Sequence, residues 1–178
     1  MLEVIKMKKS LFEDEMKRIL EIAEYKIMVG IPEATDARNE EVGNAALGYI
    51  HEFGSPIANI PARPFLIPSV EEQKKNWEKR LGKAASLAID GDIEAAKGQM
   101  EIAGQQTRDA VKSKIASNIQ PALAPYTIMK RVERGVTRTN TLIDTGSMLR
   151  AVNYVVKKKD SQQEQQHGEL EDAGFNRD

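Results

Sequence analysis

Residues 49–69 read YIHEFGSPIANIPARPFLIPS, and this stretch decides the path of the chain. It holds four of the seven prolines, one of the two histidines and two of the four phenylalanines. Each proline fixes its own φ, lacks an amide donor and pushes the preceding residue towards extended conformations. Gly54 tolerates the left-handed conformation in which helices often end. We therefore predict a helix that ends at Gly54, followed as far as Pro68 by a stiff loop through which neither a helix nor a central strand runs.

This Pro-rich loop has two interpretations. It is either a structural connector, pinned by the burial of Phe53 and Phe65, or a docking loop. The second interpretation rests on apolar side chains and one arginine carried by a stiff backbone, which are typical anchors of a subunit interface. Proline stiffness also lowers the conformational entropy lost on association. The residues predicted to lie at a subunit interface are Phe53, Pro61, Arg63, Pro64, Phe65 and Leu66.

Length, charge and composition restrict the class of protein. The chain has 178 residues, a net charge of −1 and no cysteine. This length fits one domain, and the mixed charges give no overall basic field that would indicate DNA as the primary ligand. Without cysteine there is no disulfide, Cys-type zinc site, iron–sulfur cluster or thiol nucleophile. No run of about 18 apolar residues and no signal-peptide pattern occur, so we predict a soluble protein without an export signal.

Patterns on either side of the loop predict an α+β fold. Apolar residues at helical spacing predict helices at 10–24, 41–53, 70–89 and 92–119. The last two are joined by Asp90-Gly91-Asp92 and should therefore pack antiparallel. Short β-branched runs predict strands at 25–31 and 151–156, whose pairing would close the domain, and residues 32–41 predict a surface loop. We expect one domain over residues 1–159, with a small antiparallel or mixed sheet packed against the N-terminal helix and the two long helices, and with extended loops.

Cap and core residues follow from these boundaries. Ser10, Ser69 and Asp92 have side chains that can accept hydrogen bonds from the first amides of a helix. The predicted core positions are Leu11, Met16, Ile19, Leu20 and Ala23 in the first helix, Trp77, Leu81, Ala84, Ala85 and Ala88 in the third, and Ile93, Ala96, Met100, Ala103, Thr107, Ala110, Val111 and Ile115 in the fourth.

Residues 126–141 mix four cations with Gly135 and several threonines, a composition typical of a long exposed loop. The loop is either solvated surface or a contact with DNA phosphates or an acidic partner. The predicted contact residues are Lys130, Arg131, Arg134 and Arg138. In the turn that follows, Asp144 or Thr145 is the predicted helix cap. Residues 160–178 are polar and rich in Gln and Glu, which predicts a flexible C-terminal tail that orders only on a neighbour.

His51 and Glu52 are adjacent, which raises the question of acid/base chemistry or metal binding. Adjacent residues on a helix point about 100° apart and do not face each other. The sequence has no HExxH, GxSxG, P-loop or GxGxxG motif, and His167 lies in the polar tail without a matching constellation. We therefore predict no catalytic, cofactor-binding or metal-binding residue, and a protein that is not an enzyme.

Three segments taken together resemble a known family. They are YIHEFG (49–54), IPARPFLIPSVEE (60–72) and LIDTGSMLRAVNYVV (142–156). They are similar to the signature segments of the virion-morphogenesis and tail-completion family of tailed bacteriophages, which includes Mu-like tail-completion proteins and putative tail-component proteins of lambdoid phages. The resemblance covers Val29 to about Val156 in the same order. It includes no motif in residues 91–120 or after Asp160.

The resemblance implies a non-enzymatic structural subunit that forms a homo-oligomeric ring, expected to be a hexamer, at the head–tail junction. Such a ring completes or caps the tail so that head and tail can join. The expected partners are copies of the chain itself, neighbouring connector proteins, tail-tube or tail-terminator proteins, and genomic DNA in passing, with no membrane. The expected location is the neck or top of the tail in the virion, and the host cytoplasm during assembly. Two alternatives stay open: a nucleic-acid-handling protein acting through Lys130 to Arg138, and a small host-encoded regulator.

Overall fold

Seven helices and two strands follow one another in the computed structural model, which describes residues 2–32 and 42–159. In chain order they are α1 (Leu2–Ala23), β1 (Tyr25–Gly30), α2 (Asn44–Phe53), α3 (Leu66–Glu72), α4 (Lys74–Ile89), α5 (Ile93–Ala116), α6 (Pro125–Glu133), α7 (Ser147–Ala151) and β2 (Asn153–Lys158). This is the predicted α+β fold with a small sheet and long helices. The predicted tail and almost all of the predicted loop at 32–41 lie outside the described residues.

The two strands form an antiparallel ribbon, as the sequence predicts. Tyr25 is opposite Lys158 at one end, and Gly30 is opposite Asn153 at the other. A two-stranded ribbon is marginally stable in water by itself, so it needs a helix or further strands against one face. Helix α5 provides that cover and contacts both strands. The pairing of strands that are distant in sequence therefore closes the domain.

Helix α5 carries the core. Of its predicted stripe, Ala96, Met100, Ala103, Thr107, Val111 and Ile115 are buried. One end of the stripe packs with Ala84 and Ala88 of α4, and the other end packs with Phe65, Leu142 and Val152. The predicted cap is also confirmed, because the Asp92 carboxylate accepts a hydrogen bond from Ala95 N at 3.0 Å. The antiparallel pair α4–α5 thus connects two hydrophobic clusters.

Two glycines of α5 provide a matched test of its packing. A Cβ added at Gly104 would lie 2.5 Å from the Tyr154 ring, whereas one added at Gly98 would meet nothing within 4 Å. We expect Gly104→Ala to destabilise the chain by about 1–2 kcal/mol, because overpacking outweighs the gain in helix propensity. Gly98→Ala should instead be stabilising by up to about 1 kcal/mol. Urea unfolding followed by circular dichroism measures both, and equal effects would contradict the close approach of α5 to β2.

Helix α1 differs from its prediction. It begins at Leu2, so Ser10 lies inside the helix and is not its cap. Most of the predicted core face is on the surface, with Leu11 62% and Leu20 57% exposed. Contacts with α4 come from the C-terminal half, where Ile22 is buried beside Ala84 and Ala88. The apolar stripe is therefore longer than the surface that residues 2–32 and 42–159 provide to cover it.

The predicted helix at 70–89 is two helices that meet at Gln73. The first, α3, begins at Leu66 and contains Pro68 in its first turn. Proline is tolerated there because the amide that it lacks would have no partner within the helix. Ser69 is consequently not a cap, and its hydroxyl donates a hydrogen bond to Phe65 O at 2.7 Å. The prediction that no helix enters the stretch before Pro68 is wrong for this reason.

Candidate functional site

The three segments that carry the family resemblance meet around one open groove. It has a volume of about 760 Å³ and is lined by the end of α2, the Pro-rich loop, residues 121–124, Arg131 of α6 and residues 141–148. Leu47 and Met148, which both line the groove, lie at opposite ends of this part of the sequence, so long-range contacts must hold the lining together. Buried charged side chains provide those contacts.

Glu52 connects the two ends of the Pro-rich loop. Its buried carboxylate accepts hydrogen bonds from the amides of Phe65 at 2.8 Å, Leu66 at 2.8 Å and Ile67 at 3.0 Å. The first amides of a helix have no partner within that helix, and the positive end of the helix dipole favours a carboxylate. The last turn of α2 therefore caps α3. The sequence analysis missed this role. One signal was present, because the Phe65 side chain has no hydrogen-bond acceptor and α3 therefore needs a cap from another part of the chain.

Backbone contacts complete the loop. Gly54 N donates to Ile50 O at 2.7 Å and ends α2, as predicted. Its φ is +78°, and a Cβ at this position would lie 2.8 Å from Ala62 N, so only glycine fits without strain. Ser55 and Ile60 exchange two backbone hydrogen bonds at 2.8 and 2.9 Å. The loop is therefore a closed, stiff structure with Ile57 fully exposed at its tip.

The six predicted interface residues differ in their exposure. Phe65 is buried in the core and Arg63 is buried under the groove, so both are used within the chain and are not surface anchors. Arg63 Nε donates to Pro121 O at 2.7 Å, and its Nη2 donates to Ala122 O at 3.1 Å. Leu66 is half-buried, whereas Phe53, Pro61 and Pro64 are exposed. The expected burial of Phe53 within the connector is wrong, because that ring is on the surface.

Helix α6 occupies much of the predicted basic loop, and Arg131 of this helix is only 6% exposed. Its Nη1 donates to Asn140 O at 2.7 Å and to Ile143 O at 3.1 Å. Its Nε lies 3.7 Å from the Asp144 carboxylate. A guanidinium group has five donors, and here they hold an irregular segment onto α6. Arg131 is therefore a structural residue and is not free to contact phosphate.

Of the other predicted contact residues, Arg134 and Arg138 contact Asp144, which lines the groove. Lys130 forms an ion pair with Glu133 at 2.8 Å, and Arg134 forms one with Asp144 at 2.8 Å. Arg138 is exposed, and its Nη1 lies 3.5 Å from Asp144 O. The N-cap of α7 is Gly146, with a φ of +80°, rather than Asp144 or Thr145. Thr145 contributes differently, since its hydroxyl accepts a hydrogen bond from Ser147 N at 3.3 Å.

His51 lies on the wall of the groove. Burial lowers the pKa of His51, and the positive charges of Arg63 and Arg131 lower it further, so the imidazole is neutral at pH 7. Its Nδ1 is buried and has no hydrogen-bond partner among the described residues. Within the same residues, no group of three or more His, Asp or Glu side chains is arranged to hold a metal ion. His51 therefore lines the groove, whereas Glu52 caps α3.

A second, smaller cavity of about 220 Å³ opens on the other side of α2. Exposed apolar side chains surround it: Tyr49 is 67% exposed, Phe53 56% and Ile67 46%. The rings of Tyr49 and Phe53 touch, with their centroids 4.8 Å apart. We call these three side chains the apolar patch.

Comparisons with known proteins add no relative. No protein-family model, curated protein or solved structure matches the chain. None of the helices in residues 2–32 and 42–159 has the length and apolar character needed to cross a bilayer.

Proposed function

We propose that the chain is a structural subunit of a tailed-phage virion that forms a ring at the head–tail junction and allows head and tail to join. The proposal combines the resemblance of three segments to the tail-completion family with the apolar patch that the first two of these segments build. It includes a non-enzymatic role and a contact with connector and tail proteins.

The apolar patch is the observation that carries the proposal. Aromatic and aliphatic side chains that surround an apolar cavity are typical of the centre of a protein–protein interface. Tyr49 and Phe53 stand on α2, and Ile67 stands on α3, and the Glu52 carboxylate fixes these helices relative to each other. A preorganised patch loses little conformational entropy on association. A head-to-tail contact between one such patch and a different surface of the next copy gives a ring when the rotation between copies closes, as the proposal requires.

Nucleic-acid handling through Lys130 to Arg138 is the less favoured alternative. Of its four cations, Arg131 is buried, and Lys130 and Arg134 already have carboxylate partners. Phosphate binding at Lys130 and Arg134 would have to compete with those carboxylates, as would the binding of any other anion. Salt-sensitive binding of a DNA duplex by the full chain, lost on substitution of Arg138, would favour this alternative.

Substitutions in the patch test the proposal. We expect Phe53→Gln and Ile67→Gln each to weaken self-association at least about tenfold, since removal of a central apolar anchor costs about 2 kcal/mol or more. Met129→Gln is the matched control, because Met129 is an exposed apolar residue of α6 outside the patch. Light scattering on the size-fractionated full chain measures the mass, and circular dichroism checks the fold. Unchanged association in both patch variants would remove the basis of the proposal.

A further inference from the structure

Three exposed arginines surround the turn at Asp144 and Thr145. Arg134 forms an ion pair with the Asp144 carboxylate, Arg138 lies beside Asp144 O, and Arg150 Nη1 donates to Thr145 O at 3.1 Å. The buried Arg131 lies directly behind them. A single carboxylate among four guanidinium groups leaves the mouth of the groove positively charged. Burial is the main cause of the lowered pKa of His51, and the charges of Arg63 and Arg131 add to it.

The groove also contains polar atoms without hydrogen-bond partners among the described residues. Two of them are Oγ1 of the buried Thr141 and Nδ1 of His51. Asp144 Oδ1 accepts no hydrogen bond either, although it lies 3.7 Å from Arg131 Nε, and all three residues line this groove. Buried polar groups of native proteins almost always have partners, so a cluster of exceptions needs an explanation. A polypeptide would supply both donors and acceptors to these atoms.

The apolar part of the lining also favours a peptide over DNA. Leu47, Leu123, Leu142 and Met148 line the groove beside the polar atoms. Apolar side chains of a peptide can pack on such a lining, whereas the phosphates of a duplex require cations alone. The ligand should therefore combine carboxylates for the arginines with at least one apolar side chain for the groove.

The chain itself contains such a segment. Residues 169–172 read ELED, and they lie beyond Lys159 and outside the described residues. We propose that this segment binds to the groove of the same copy, with its carboxylates on Arg134, Arg138 and Arg150 and with Leu170 on the apolar lining. This contact goes beyond the proposed function, because it forms in the monomer whether or not a ring assembles.

The tether is long enough. Strand β2 leads away from α7, whose Met148 lines the groove, and six strand residues cover about 20 Å. The ten residues from Lys159 to Glu169 can span about 33 Å when extended. This reach exceeds the length of β2, so the length of the tether permits the proposed contact.

Hydrogen exchange on the full chain at low salt tests this contact. We expect at least tenfold slowed exchange in residues 165–175, and its loss in Glu169→Gln/Glu171→Gln/Asp172→Asn and in Arg134→Gln/Arg138→Gln. The control Lys79→Gln/Lys83→Gln removes two exposed cations of α4 and should leave exchange unchanged. Combining Arg134→Glu/Arg138→Glu with Glu169→Lys/Glu171→Lys should restore the slowed exchange, which a merely destabilised groove would not do.

Three results would overturn the proposal. The first is exchange of residues 165–175 at the rate of an unstructured peptide in the unaltered chain. The second is slowed exchange that appears only at concentrations where the chain associates, since the contact would then be between copies. The third is binding of a 20-base-pair DNA duplex through Arg134 and Arg138 without any slowed exchange in the tail, which would assign the arginines to phosphate.

Discussion

Glu52→Ala is expected to lower the free energy of unfolding by about 3–5 kcal/mol. The substitution leaves three amides at the start of α3 without their shared acceptor, and each unsatisfied buried donor costs about 1–3 kcal/mol, reduced where water can enter. Such a loss is a large part of the 5–15 kcal/mol that typically stabilises a domain of this kind. Urea unfolding followed by circular dichroism measures the difference from the unaltered chain.

Asp92→Ala is the matched control for this prediction. Asp92 also caps a helix, but its carboxylate accepts one amide hydrogen bond at an exposed position, so its loss should cost only about 1 kcal/mol. If Glu52→Ala proves too unstable to purify, Glu52→Gln provides an intermediate case that keeps one acceptor oxygen. Equal losses for Glu52→Ala and Asp92→Ala would show that Glu52 does not hold α2 and α3 together.

Arg131→Met is expected to lower the free energy of unfolding by about 3–4 kcal/mol. Methionine keeps much of the apolar stem, but the carbonyls of Asn140 and Ile143 lose their donor and Asp144 loses a neighbouring cation. Leaving buried partners unpaired is costly, whereas exposed ion pairs contribute about 0–1 kcal/mol. Arg134→Met is therefore the control, because its partner is the same Asp144 but its side chain is exposed.

Hydrogen exchange localises the effect of these two substitutions. In Arg131→Met, the amides of residues 138–144 should exchange faster before global unfolding, and in Arg134→Met they should not. Similar small losses of stability in both variants would contradict a structural role of Arg131. They would favour the solvated loop, which is one of the two interpretations of the sequence.

Local patterns in the sequence predict the parts of the fold that depend on neighbouring residues. The strand at Tyr25, the buried stripe of α5 and the Asp92 cap each follow from periodicity or from a side chain within three residues of its partner. Glu52 and Arg131 do not, because Glu52 bonds to amides at the start of α3 and Arg131 bonds to carbonyls of an irregular segment, 7 to 15 residues away in sequence. No periodicity indicates such partners, since any carboxylate or guanidinium group could provide them.

Exposure of apolar residues could not be predicted for a related reason. A helical stripe such as that of α1, or a ring such as Phe53, shows which side chains favour burial but not whether this chain covers them. The prediction placed the α1 stripe in the core and left Phe53 either buried in a connector or at a subunit interface, and the structure leaves Phe53 and most of the stripe exposed. In the proposed ring, a second copy supplies the missing cover for Phe53.

Native mass spectrometry of the purified full chain tests the proposed assembly most directly. Our account predicts one dominant species with the mass of a closed multiple of the chain, expected to be a hexamer, which Phe53→Gln shifts towards the monomer. A spectrum that contains only monomer at high micromolar concentration, or an open-ended series of oligomers without a preferred size, would contradict a ring-forming subunit.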